Sequence, residues 1–101
     1  FYSIENQRVS NYHMFYLVFF LKKVKDNYLK FMIKNKIHCQ THYEPLHNSK
    51  MGKKINKELR LKNVEKFYNK IVRFPLHLNL SIKDLLYIKS KSDLFFKNLI
   101  K

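Results

Sequence analysis

The sequence predicts a small two-layer α/β unit, helices packed on a short sheet. Three observations lead there. An aromatic and β-branched run, YHMFYLVFFL, occupies residues 12–21. Helical apolar periods follow it in three separate segments. A proline-containing stretch, RFPLH at 73–77, interrupts the last two of them. At 101 residues the chain is at most one small domain, 1–101. Apolar residues make up 46% of it, enough for a core and against disorder.

Residues 1–11 are polar and show no period. Residues 12–21 then read as a strand. They lack the alternation of a half-exposed strand, so both faces are expected to be covered. The most apolar part, residues 14–21, falls short of the roughly 20 residues that a membrane span needs. Asp26 is placed to cap a helix starting at Asn27. In that helix Leu29, Met32 and Ile33 fall on one face. Asn35 closes it, and residues 37–41 read as a short strand.

The stretch THYEPLHNSKMG, residues 41–52, is the next loop and holds the only glycine. Residues 50–62 are rich in lysine and read as loop or frayed helix. Val64, Phe67, Tyr68, Ile71 and Val72 fit the i, i+3, i+4, i+7, i+8 template, predicting an amphipathic helix over 64–72 with Asn63 as its cap. Pro75 ends it and leaves RFPLH extended. Ser81 and Asp84 have the spacing of a capping box for the last helix, whose apolar face is Leu85, Ile88, Phe95, Phe96 and Leu99.

The net charge is +14, from 18 lysines and 3 arginines against 7 acidic residues. Such an excess fits nucleic acid or an anionic surface. Composition offers another cause. Asn occurs 10 times and Ala not at all, the bias expected when AT-rich codons dominate. The lysines are scattered, and a reader of bases would favour arginine. The charge therefore reads as a solvated surface, with nucleic-acid binding as the alternative.

One glycine excludes a Gly-rich phosphate loop. There is no CxxC or HExxH, and no pair of neighbouring carboxylates, so neither a metal site nor an acid/base dyad is expected. Cys39 is alone and fits a reducing cytoplasm. Its neighbour His38 should face the opposite side of a strand, which excludes a Cys–His nucleophile. Imidazoles and tyrosine hydroxyls both donate and accept hydrogen bonds. A loop carrying His42, Tyr43 and His47, stiffened by Pro45, suits a hydroxyl-rich ligand or a phosphate. The bland reading is a surface turn with incidental histidines.

Three segments together go further. NYHMFYLVF (11–19), HYEPLHNSKMG (42–52) and VEKFYNKIVRFPLHLNLSIKD (64–84) resemble, in order and separation, the C-terminal region of the DegT/DnrJ/EryC1/StrS family of pyridoxal-phosphate-dependent sugar-nucleotide aminotransferases. The nearest likeness is to the subgroup that makes dTDP-4-amino-4,6-dideoxygalactose. The resemblance spans about residues 8–100. It implies the small C-terminal domain of a fold-type I aminotransferase, with the large domain preceding Phe1. That domain would carry the Schiff-base lysine and hold pyridoxal phosphate, so this chain holds no catalytic and no cofactor-binding residue. It implies substrate-binding roles for His13, His42, Tyr43 and His47, on the sugar nucleotide. Glutamate would be the amino donor to a dTDP-4-keto-6-deoxyhexose, in cell-surface polysaccharide synthesis such as that of lipopolysaccharide or enterobacterial common antigen. The complete enzyme would be a cytoplasmic homodimer, with no membrane and no nucleic-acid partner. Alone, the chain would be inactive. A small basic nucleic-acid-binding protein and a nonfunctional remnant are the competing readings.

Overall fold

The structure, a computed structural model, describes residues 9, 11 and 13–100. Tyr12, expected in the first strand, lies outside the described residues, as do residues 1–8. Three antiparallel strands form one sheet: β1 (Tyr16–Val18), β2 (Gln40–Thr41) and β3 (Ile71–Arg73), in the order β1-β3-β2. Four α-helices accompany it: α1 (Lys22–Lys34), α2 (Lys50–Ile55), α3 (Lys62–Phe67) and α4 (Ile82–Ile100). Short 3-10 turns, Leu46–Asn48 and Tyr68–Lys70, precede α2 and β3. The predicted α/β unit of helices on a small sheet is the fold observed.

The register follows the alternation of side chains. Leu17 and Thr41 both pair with Val72, so these three share the sheet face toward the core. Phe19, Tyr28, Met32, Ile37, Cys39 and Val72 are its buried apolar residues. Tyr28 is the hub. Its ring lies 5.1 Å from Phe19 and from Phe95, and 5.4 Å from Phe96. Its hydroxyl is 2.8 Å from Ser92 Oγ, tying α1 to α4. Burial pushes that hydroxyl up to about 12 and the Cys39 thiol up to about 11. Cys39 is buried while His38 is exposed, as opposite sides of an extended segment require.

Several elements differ from expectation. The first strand is not covered on both faces: Val18 is 48% and Phe20 96% exposed. It lies at a sheet edge, where Val18 and Phe20 stay open to solvent. Asp26 does not cap α1. The helix starts a turn earlier, after Leu21, and Asp26 bonds Lys22 and Lys25 inside it. The buried line of α1 is Lys25, Tyr28 and Met32, while Ile33 is exposed and Leu29 only flanks the core. Asn35 closes the helix, its amide donating to Phe31 O at 2.8 Å. The next strand is shorter than 37–41, only Gln40–Thr41.

The expected 64–72 helix stops at Phe67, and Ile71 and Val72 belong to the central strand. Two flanking strands satisfy the backbone there, which outweighs a helical period continued for one more turn. Its N-cap is Leu61, not Asn63. At the last helix the capping box forms as expected: Ser81 N–H donates to Asp84 Oδ2 at 3.0 Å, and Asp84 N–H to Ser81 Oγ at 3.1 Å. Of its apolar face, Ile88, Phe95 and Phe96 pack on the core, but Leu85 and Leu99 are exposed.

Candidate functional site

Arg73 ends β3 in a row across the sheet, paired with Tyr16 on one side and Gln40 on the other. This row faces away from Val72 and the core. Beside it the chain leaves β2 into the 42–49 loop, and β3 runs on to Pro75. A pocket of about 480 Å³ opens between them, lined by His13, His38, Gln40, His42, Tyr43 and Arg73 with Met14 and residues 74–76. That volume suits a small molecule.

The lining is donor-rich, and no carboxylate belongs to it. Arg73 is its permanent cation. Its Nη2 donates to Gln40 Oε1 at 3.3 Å, and its guanidinium carbon lies 5.0 Å from the Tyr43 ring centroid. A fork held from below and stacked from the side is prepared for a carboxylate or phosphate. His13 is fixed in a different way. Asn11 Oδ1 accepts from its backbone N–H at 3.3 Å and pairs with its Nδ1. An amide oxygen only accepts, so Nδ1 carries a proton in this contact. The His42 ring lies 5.7 Å from that of Tyr43, and its Nδ1 is buried without a hydrogen-bond partner. Tyr43 is 74% exposed.

Three of the four expected site residues, His13, His42 and Tyr43, thus share one pocket. His47 is elsewhere. It is buried in the Leu46–Asn48 turn with Nε2 3.2 Å from Glu65 Oε1. Arg60 Nη1 meets the same oxygen at 3.2 Å. The Arg60 bond first, and the His47 bond after it, hold the Glu65 carboxyl below its ordinary range. Sequence reasoning left Arg73, Gln40 and His38 out of the site. The signal for Arg73 was available: one of three arginines among 18 lysines, two residues before a proline.

The loop is shaped by local chemistry. Ser49 Oγ donates to Leu46 O at 2.6 Å and accepts from Gly52 N–H at 3.0 Å, capping α2. A Cβ on Gly52 would overlap the Leu46 carbonyl oxygen. The only glycine therefore serves this turn. Among the described residues no group of three His, Cys, Asp or Glu could hold a metal ion. No helix among them is long and apolar enough to cross a membrane. Exposed lysines are spread over all four helices.

Fold and pocket together define an α/β domain whose pocket gathers arginine, imidazole and phenol groups. A profile described as the DegT/DnrJ/EryC1/StrS aminotransferase family matches residues 2–91, and the chain belongs to that family. It is similar to two transaminases of Campylobacter jejuni subsp. jejuni, both named for UDP-4-amino-4,6-dideoxy-N-acetyl-beta-L-altrosamine. One, from serotype O:23/36, is 26% identical over 89 residues; the other, from serotype O:2, is 25% identical. Each similarity covers 86% of this chain and 24% of the relative. A solved structure, Helicobacter pylori PseC, described as an aminotransferase involved in the biosynthesis of pseudoaminic acid, has the same fold. Its TM-score is 0.74 at 24% identity, over 85% of this chain and 24% of that one. The chain thus spans about a quarter of the length of the relatives it matches.

The family's enzymes depend on pyridoxal phosphate. The pocket offers that cofactor no Schiff-base lysine. No lysine and no glycine lines the pocket. Lys25, which is buried, is bonded to Asp26 at 2.7 Å and is not among the lining residues.

Proposed function

We propose that this chain is the small C-terminal domain of a sugar-nucleotide aminotransferase and forms the substrate side of its active site. One observation carries the reading: His13 from one motif, and His42 and Tyr43 from a second, meet at one pocket around Arg73. In the reading, Arg73 pairs with a phosphate or carboxylate, and Tyr43 and the imidazoles bond sugar hydroxyls. Held so, the sugar is oriented toward groups that this chain does not supply. His47 contributes by holding the loop.

The acceptor is a nucleotide-linked 4-keto-6-deoxyhexose and the donor glutamate. The resemblance in the motifs favours a dTDP sugar, whereas the two named Campylobacter relatives carry a UDP sugar in their names. The lysine and cofactor belong to a large domain that precedes this one. An apolar groove of about 600 Å³ between β1 and α4, walled by Phe15, Leu17, Leu85, Ile88 and Phe96, supports this, being a surface that another domain would cover. The complete enzyme is a cytoplasmic homodimer, and the isolated chain is inactive.

The test is binding of dTDP-hexose and UDP-hexose by calorimetry, with turnover assayed in parallel. Binding of one of them without turnover is expected. Arg73→Met should weaken it about 10- to 150-fold, the worth of a hydrogen bond to a charged group. Amino transfer by the chain alone, or binding indifferent to Arg73, contradicts the reading.

A further inference from the structure

We infer that Glu65, on α3, is a positioning residue that sets the pocket's Tyr43 wall through His47; this rests on the substrate-side reading above. His47 is the only buried side chain in the 42–52 stretch. Glu44 and Leu46 beside it are exposed, as is Tyr43, so the loop has little apolar purchase of its own. Ser49 and Gly52 make the turn rigid locally, but both act within the turn and α2. The polar link from this unit to α3 is His47 Nε2 to Glu65 Oε1, made by an imidazole whose side chain is 2% exposed.

A carboxylate only accepts, so Nε2–H donates to it, and that fixes the ring's orientation. Arg60, shared on the same Glu65 oxygen, holds the carboxylate from the solvent side. Three residues separate His47 from Tyr43, whose ring must stay under Arg73 for the pocket to keep its form. A carboxylate remote from the pocket thereby governs where a pocket wall stands. Removing it leaves a buried imidazole donor unpaired and frees the turn to shift.

The experiment is amide hydrogen exchange and side-chain NMR on the full chain and on Glu65→Ala and Glu65→Gln. The Asn48 and Ser49 amides, which close the turn onto Pro45 O and Leu46 O, report the clamp. In Glu65→Ala their exchange should rise about tenfold, the worth of one charged hydrogen bond. The Tyr43–Arg73 contact should disappear with it, while amides of α1 and β3 keep their protection. Glu65→Gln should restore both, because a carboxamide oxygen accepts the same bond. Unchanged loop exchange in Glu65→Ala overturns the inference. A uniform rise through α1 and β3 also overturns it, since Glu65 would then support the whole fold. So does failure of Glu65→Gln to restore the loop. UDP and dTDP, titrated separately into the same samples as probes, separate the two readings. If the unmodified chain fails to bind UDP and dTDP, the substrate-side reading falls, and exchange still decides the clamp.

Discussion

Arg73 lies over the ring of Tyr43, its guanidinium carbon 5.0 Å from the centroid. The two residues come from motifs 30 positions apart and meet because β2 pairs with β3. Arg73 is thereby confined by Gln40 in the sheet and Tyr43 in the loop. Confinement matters for recognition. A guanidinium already held in place loses less freedom when it takes a bidentate anion.

Tyr43 contributes a ring and a hydroxyl, and substitution separates them. Tyr43→Phe keeps the stack and loses one neutral hydrogen bond, so sugar-nucleotide affinity should fall about 2- to 12-fold. Tyr43→Ala also removes the ring, and with it a cation–π contact worth about 0.5–1 kcal/mol at an exposed position. It should therefore bind more weakly than Tyr43→Phe. Calorimetry on both variants checks the order, and equal losses would show that the ring has no part.

Gly52→Ala reverses a usual rule. In an ordinary helix that change stabilises by about 1 kcal/mol. Here the new Cβ would overlap the Leu46 carbonyl oxygen and lie 2.9 Å from His47 Cα. Both contacts are backbone and neither can swing away. A loss of about 1–3 kcal/mol is expected, as for other overpacked sites. Chemical denaturation measures it, and a gain in stability would mean the turn is looser than described.

The core predicts a contrast between two apolar residues. Met32 is fully buried beside Tyr28 and Val72, whereas Phe67 is 42% exposed. Met32→Ala should cost about 2–5 kcal/mol. Phe67→Ala should cost under about 1 kcal/mol, in the range of surface changes. Urea midpoints at constant slope test this, and the reverse order would place α3 in the core.

Asp26 gives a pH dependence with a definite sign. Hydrogen bonds from Lys25 first and Lys22 second pull its carboxyl down from 3.8 to about 2. A depressed native value stabilises the fold above the unfolded value and is lost as pH falls through the native one. Asp26→Asn should therefore melt below the unmodified chain at pH 6, with the gap closing between about pH 4 and pH 2. A gap that persists below pH 2 would trace the effect to packing rather than charge.

What the sequence disclosed was mainly local. The Ser81–Asp84 capping box, the closure of α1 by Asn35 and the opposite facing of His38 and Cys39 depend on near neighbours. All three are present. β3 was hidden because Ile71 and Val72 continue a helical period from Val64. Only the two flanking strands, contributed by residues 16–18 and 40–41, decide for extension. The β-branched pair just before Arg-Phe-Pro was the available hint. Asp26 looked like a cap because a helix starting after Leu21 has no capping side chain to reveal it. The histidines of the motifs and Tyr43 could be selected by chemistry and motif, but not Gln40, which reaches the pocket through sheet register, or His38, which lines it from just before β2. Nor could His47 be set apart from the others, because its partner Glu65 lies 18 residues away.

Mapping a nucleotide onto the chain by NMR tests the central claim most directly. UDP and dTDP are titrated separately into labelled protein, with inorganic phosphate and added salt as controls for a surface of net charge +14. The account predicts saturable shifts from at least one nucleotide, concentrated at His13, His42, Tyr43 and Arg73. They should survive moderate salt and be absent in Arg73→Met. Shifts spread along the lysines of α1, α2 and α4, vanishing with salt and matched by phosphate alone, would contradict it.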